Sequence, residues 1–143
     1  MNLSLAEFKK NLTVIILCGG KGNRLKPLTN VLPKPLIKIK KKTILEIIID
    51  HFLKYRISNI VLASGYKANK FDSFLKKNYR EYNIINMKTP ERWDIIQRIV
   101  FCINNTKTKY FMICYGDTFA DINFDKLIKN SKKNKKKNFY GLL

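Results

Sequence analysis

Two hydrophobic rhythms alternate along the chain. LTVIILC (Leu12–Cys18), NIVLAS (Asn59–Ser64) and KYFMICYGD (Lys109–Asp117) begin as or form short, nearly unbroken apolar runs. That is the pattern of strands covered on both faces of a parallel sheet. YNIIN (Tyr82–Asn86) reads as a further short strand. Between these runs the apolar residues recur at helical spacing. Thr43–Arg56 carries Ile44, Ile47, Ile48 and the Phe52–Leu53 pair, and Lys67–Asn78 carries Phe71, Phe74 and Leu75 on one face. Glu91–Asn104 predicts another helix, with Pro90 just ahead of it. Ile122–Asn134 predicts one more, entered near Asn123. Ser4–Lys10 predicts a short leading helix with Ser4 as N-cap and Glu7 three positions on. NFYGLL, at the C-terminal end, reads as the start of a strand.

Strands alternating with helices predict βαβ units. The expected fold class is α/β: an open, mostly parallel, Rossmann-like sheet flanked by helices. Residues 1–143 read as one domain, with an N-terminal extension over 1–11 and a basic end over 130–143. In such sheets ligands sit outside the carboxyl ends of the strands, where strand order reverses. The glycines after Cys18 and the Gly116-Asp117 pair both follow strands directly, so both belong to that side.

Composition adds a large cationic excess. Of 143 residues, 29 are Lys or Arg and 10 are Asp or Glu, a net charge of +19. Such a field favours anionic partners: phosphorylated metabolites, nucleic acid or anionic lipid. The excess is mostly lysine and is spread along the chain. Its dense run, Lys132, Lys133, Lys135, Lys136 and Lys137, reads as a solvated tail. No aromatic RNA-binding platform or zinc pattern accompanies it, so no specific nucleic-acid partner is expected. Cys18, Cys102 and Cys114 have no C-x-x-C spacing and His51 is the lone histidine, which predicts no metal cluster and a reducing compartment. With no run approaching ~18–20 apolar residues and no signal-peptide pattern, a cytoplasmic protein without a membrane partner is expected.

The chemistry concentrates after the first strand. C-G-G-K-G-N-R-L puts Gly19, Gly20 and Gly22 at the strand exit, followed by Arg24. Successive glycine amides can form an anion-binding nest, and the arginine fork suits phosphate oxygens. Pro33 and Pro35 bracket Lys34 and stiffen the backbone that presents it. Two familiar phosphate loops are excluded. The Walker pattern needs Lys-Ser or Lys-Thr after its last glycine, whereas Asn23 follows Gly22. The dinucleotide fingerprint opens a helix, whereas this segment runs into a proline-rich loop.

L-C-G-G-K-G-N-R-L-K-P-L-T-N-V-L-P-K-P-L, Leu17 to Leu36, resembles the signature of the sugar-phosphate nucleotidyltransferases. The likeness extends weakly through Gly65-Tyr66 to Tyr115-Gly116-Asp117, and Y-G-D-T-F-A-D-I is most similar to the glucose-1-phosphate cytidylyltransferase branch. The resemblance implies transfer of a nucleotidyl group from a nucleoside triphosphate to a sugar-1-phosphate. Leu17, Gly19, Gly20, Gly22, Arg24, Lys34 and Gly116 would bind the nucleotide. Arg24 and Lys34 would assist the reaction, and Asp117 would bind Mg²⁺. Asp121 is a weaker metal candidate that reads better as a cap, and Asp125 as a first-turn residue of the last helix. Self-association is left open.

The chain also departs from that pattern. The family's domain is usually longer, and its second half supplies the sugar pocket and another metal-binding aspartate. The glycine-containing segment usual near the base is replaced by TPERWDIIQRIVF, where Trp93 or Arg92 could take part of the region, although Trp93 reads better as a half-buried helix residue. Two classes stay open: an enzyme, or the nucleotide-binding half of one, and a non-catalytic nucleotide-binding or assembly module.

Overall fold

The computed structural model describes residues 3–133, so the NFYGLL segment and Lys135–Lys137 lie outside the described residues. The chain opens with α1 (Leu5–Lys10), β1 (Leu12–Cys18) and a long loop holding 3-10 turns at Asn23–Leu25, Leu28–Asn30 and Lys34–Leu36. A small hairpin follows, β2 (Lys38–Ile39) and β3 (Lys42–Thr43), then α2 (Ile44–Lys54), β4 (Ile60–Ser64) and α3 (Asn69–Asn78). β5 (Ile84–Lys88), α4 (Ile95–Asn104), β6 (Tyr110–Tyr115) and α5 (Phe124–Lys133) complete it.

β5, β4, β1 and β6 lie side by side in that order, with every pairing parallel. Cys18 stands opposite Ser64, and Leu17 opposite Tyr115. The expected α/β fold class is therefore the observed one. β1 is buried along its whole length. Its alternate residues feed two cores: Val14, Ile16 and Cys18 pack with residues of α1, α2, α3 and α5, whereas Ile15 and Leu17 pack with Val61, Ala63 and Cys102 of α4. The leading helix joins the body. Phe8 stacks on Tyr110 with ring centroids 4.3 Å apart, and Lys9 Nζ reaches the Asp125 carboxylate at 2.6 Å.

Several boundaries differ from the expected ones. The strand expected at Tyr82–Asn86 is shifted to Ile84–Lys88, because the Tyr82 amide donates to Tyr79 O at 3.0 Å and keeps that residue in a turn. The helix expected from Glu91 begins at Ile95. Asp94 and Gln97 form a reciprocal capping box, the Gln97 amide donating to Asp94 Oδ1 at 2.8 Å and the Asp94 amide to Gln97 Oε1 at 3.0 Å. Pro90 therefore stands ahead of a turn, closed by the Trp93 amide on Pro90 O, and not directly ahead of the helix. In α2 the buried stripe is Leu45, Ile48, Ile49 and Phe52, with Ile44 and Ile47 on its flank. Phe71, Phe74 and Leu75 of α3 are buried as expected. α5 is capped by Asn123, whose Oδ1 accepts the Lys126 amide at 3.1 Å. Asp121 is thus not the cap; it stands 3.9 Å from His51 Nε2, and Asp125 occupies the first turn.

Candidate functional site

The chain runs from β1 outward to β4 and β5, then returns to the far side of β1 as β6. Strand order reverses between β1 and β6, and the carboxyl ends of these two strands open a crevice. A cleft of about 710 Å³ occupies this place. Leu17, Cys18, Gly19, Gly20, Gly22 and Arg24 line it from the β1 side, with Lys34 and Pro35 from farther along the loop. Tyr115 and Asp117 line it from the β6 side. The opposite wall is Glu91, Trp93, Asp94, Ile95, Ile96 and Arg98.

Local conformation explains the loop's composition. Gly22 has φ +62°, and its carbonyl accepts Thr29 Oγ1 at 3.0 Å. A Cβ at Gly22 would stand 2.9 Å from Thr29 Cγ2, so this turn requires glycine on both counts. Tyr66 OH donates to Thr29 O at 2.8 Å and ties the same turn to the exit of β4. Gly116 is buried behind the cleft lining. Its amide donates to Leu17 O at 3.0 Å, and an added Cβ would meet Cys18 Sγ at 2.7 Å. Its smallness lets β6 lie close to β1.

The charged groups divide into pairs and single cations. Lys34 Nζ and Asp117 Oδ2 lie 2.6 Å apart, each side chain one-third exposed. Lys34 projects from the turn that follows buried Pro33, and Asp117 from the residue pair after β6, so two segments 83 residues apart in sequence meet at the cleft. Across the mouth, Lys21 Nζ reaches Glu91 Oε1 at 2.9 Å, and this carboxylate holds the lysine's pKa above its ordinary value. Arg24 is exposed and takes part in none of the ion pairs found among the described residues.

Arg98 is a buried charge in the cleft lining that sequence reasoning missed, as it missed Glu91, Asp94 and Tyr115 there. It is 5% exposed. Its Nη1 donates to Ser64 O at 3.2 Å and to Thr89 Oγ1, and its Nη2 donates to Glu91 O at 3.0 Å and Trp93 O at 2.9 Å. Burial lowers its pKa, with Glu91 and Asp94 acting in the opposite direction. Its one legible signal is a charge four residues before buried Cys102 on the same helix face. Trp93 is half-buried, its ring 5.6 Å from that of Phe101, and it sits in the turn before α4 rather than within a helix. Arg92 is exposed. Burial pushes the Cys18 thiol well above its ordinary range, Cys102 to about 11 and Cys114 to about 12. These thiols are packing groups rather than nucleophiles.

A metal would find a limited donor set. Among the described residues no group of three His, Cys, Asp or Glu converges. Of the carboxylates lining the cleft, Glu91 pairs with Lys21 and Asp94 caps α4, so Asp117, paired with Lys34, is the one left to offer a magnesium ion, which keeps its waters and takes one or two carboxylates.

An open parallel α/β sheet with a glycine-floored cleft at its switch point defines a Rossmann-like protein. The chain belongs to the nucleotidyl transferase family, whose pattern matches residues 13–142. It is 30% identical to a probable glucose-1-phosphate cytidylyltransferase of Bacillus subtilis (strain 168), over 80% of this chain and 53% of that protein. It is 33% identical to the D-glycero-alpha-D-manno-heptose 1-phosphate guanylyltransferase of Campylobacter jejuni, over 83% of this chain and 53% of that protein. Among solved structures, HddC from Yersinia pseudotuberculosis complexed with GMP-PN superimposes with a TM-score of 0.74 at 25% identity, over 83% of this chain and 53% of that one. The chain thus spans about half the length of the curated relatives it matches. No helix of the described residues is long and apolar enough to cross a membrane.

Proposed function

We propose that this chain carries the nucleotide-binding half of an enzyme that transfers a nucleotidyl group from a nucleoside triphosphate to a sugar-1-phosphate, releasing pyrophosphate. The observation that carries the reading is the convergence of Gly19, Gly20, Gly22, Arg24, Lys34 and Asp117 on one cleft at the strand-order switch. The family membership and the relatives' names support the same reaction class.

A sugar-1-phosphate oxygen attacks the α-phosphorus of the triphosphate. The bond from that phosphorus to the bridging oxygen breaks, and pyrophosphate departs with the electron pair. No side-chain nucleophile is required; alignment and charge neutralisation do the chemistry. Glycine-loop amides would cradle phosphate oxygens, with Leu17 beneath the nucleotide. Arg24 and Lys34 would offset charge gathering on the departing pyrophosphate. Gly116 would act indirectly, by letting the strand bearing Asp117 approach β1. Asp117 would hold Mg²⁺, which supplies charge neutralisation on phosphate oxygens when bound. The Lys34–Asp117 ion pair gives the two ligands a reason to assist each other: phosphate drawing Lys34 away frees Asp117.

Calorimetric titration with CTP, GTP, UTP and dTTP, with and without Mg²⁺, tests the binding step. At least one Mg²⁺-dependent isotherm is expected, and no binding of any at millimolar concentration contradicts the reading. If pyrophosphate release is measurable with a sugar-1-phosphate present, Arg24→Ala should lower turnover by about 10²-fold, the usual effect of losing one charge-stabilising donor.

A further inference from the structure

Arg98 is a buried cation whose four hydrogen bonds all end on neutral oxygens: Ser64 O, Thr89 Oγ1, Glu91 O and Trp93 O. The carboxylates nearest to it are engaged elsewhere. Glu91 pairs with Lys21, and Asp94 accepts the Gln97 amide. A buried charge without a bonded carboxylate is unfavourable for folding alone, so its retention calls for another benefit. Its position offers one. A Cβ on Gly19 would lie 2.4 Å from the Arg98 Cζ and Nη1 atoms, and a Cβ on Gly65 would lie 2.0 Å from Nη1. The backbone at the exits of β1 and β4 therefore rests directly against the guanidinium. The Tyr66 amide donates to Gly19 O at 3.2 Å, and the Thr89 amide to Ser64 O at 2.9 Å, closing the same knot.

We propose that Arg98 is a positioning residue of the cleft: its guanidinium clips the exits of β1 and β4 to the 89–93 connection, and its charge, bonded to no carboxylate, strengthens the binding of phosphate-bearing anions over the glycine loop. This rests on the reading of the cleft as a triphosphate site. The clip fixes the distance between the glycine loop and the Glu91–Ile96 wall, while a fixed cation beneath Gly19 acts through low-dielectric protein rather than through water. Lysine at this position would keep the charge and lose the planar fork that meets four acceptors; methionine would lose both.

The test uses Arg98→Met, Arg98→Lys and Gly65→Ala in the full chain. Affinity for inorganic tripolyphosphate is measured by calorimetry, and amide hydrogen exchange is followed without ligand. Arg98→Met should weaken tripolyphosphate by at least about tenfold, whereas Arg98→Lys should stay within about threefold. Exchange at Gly19–Arg24 and across residues 89–93 should quicken in both, because neither side chain can make the clip. A purely structural role would weaken binding equally in both variants, and that result overturns the charge role. A folded Arg98→Met that binds within twofold of the parent also overturns it. Should Arg98→Met fail to fold, Gly65→Ala decides: it keeps the charge but displaces the guanidinium, and unchanged affinity together with unchanged exchange overturns the proposal. If the parent chain itself fails to bind tripolyphosphate, the triphosphate reading and the charge role fall, while the exchange comparison still decides the clip.

Discussion

At the scale of single residues, the cleft depends on backbone that other side chains would disturb. Gly22 holds a left-handed conformation against Thr29. Gly22→Ala should destabilise the fold by about 1–2 kcal/mol through the strained φ alone, read as a lower urea midpoint with an unchanged slope. Cys102 makes a second prediction. Its folded pKa, about 11, lies above the unfolded value, so the neutral thiol favours folding at neutral pH. That contribution is complete below about 8.5 and is lost as pH rises through the folded value. Unfolding midpoints measured from pH 8 to 11 should fall less steeply for Cys102→Ala than for the parent. Gly19, Gly22, Arg24 and Lys34 could be read together as a candidate cleft because a glycine turn, a fork and a point charge follow one buried strand, and the structure brings them to one place. Arg98 could not be read so. Around it Ile96 is 66% and Val100 49% exposed while the arginine is buried beside the apolar face of Ile99 and Cys102, so apolar periodicity alone does not show that this charge faces inward.

At the scale of elements, strands buried on both faces were the most legible parts. β1 and β4 match their apolar runs because nothing but a central strand accommodates such runs here. Boundaries were hidden where side chains rather than periodicity decide them. Asp94 starts the helix at Ile95, four residues later than Glu91 suggested, and the resulting turn delivers Glu91 and Trp93 to the cleft wall. Asp94→Ala should lower stability by about 0.5–2 kcal/mol, the ordinary effect of losing an N-cap acceptor. Because the same turn supplies two acceptors to Arg98, hydrogen exchange over residues 89–93 should accelerate more than exchange in α2. Equal acceleration in both segments would show that the cap supports the whole fold rather than this wall.

At the scale of the molecule, the sheet's strand order places chemistry that is far apart in sequence. Lys34 and Asp117 meet only because β6 returns beside β1, which no local pattern around either residue reveals. Among the described residues α4 covers the Ile15, Leu17, Val61 and Ala63 face, whereas residues of α1, α2, α3 and α5 share the other. Under the proposed function this cleft, and not the diffuse positive surface, holds the triphosphate. Nuclear magnetic resonance of the ¹⁵N-labelled chain during a Mg²⁺–nucleotide titration tests it most directly, since Trp93 is the single tryptophan and its indole reports on the cleft wall. Saturable shifts at Gly19, Gly20, Gly22, Asp117 and the Trp93 indole, with quiet signals across the outer faces of α3 and α5, are the predicted result. Shifts that leave the glycine loop untouched and follow the surface lysines, vanishing as salt is raised, would contradict it.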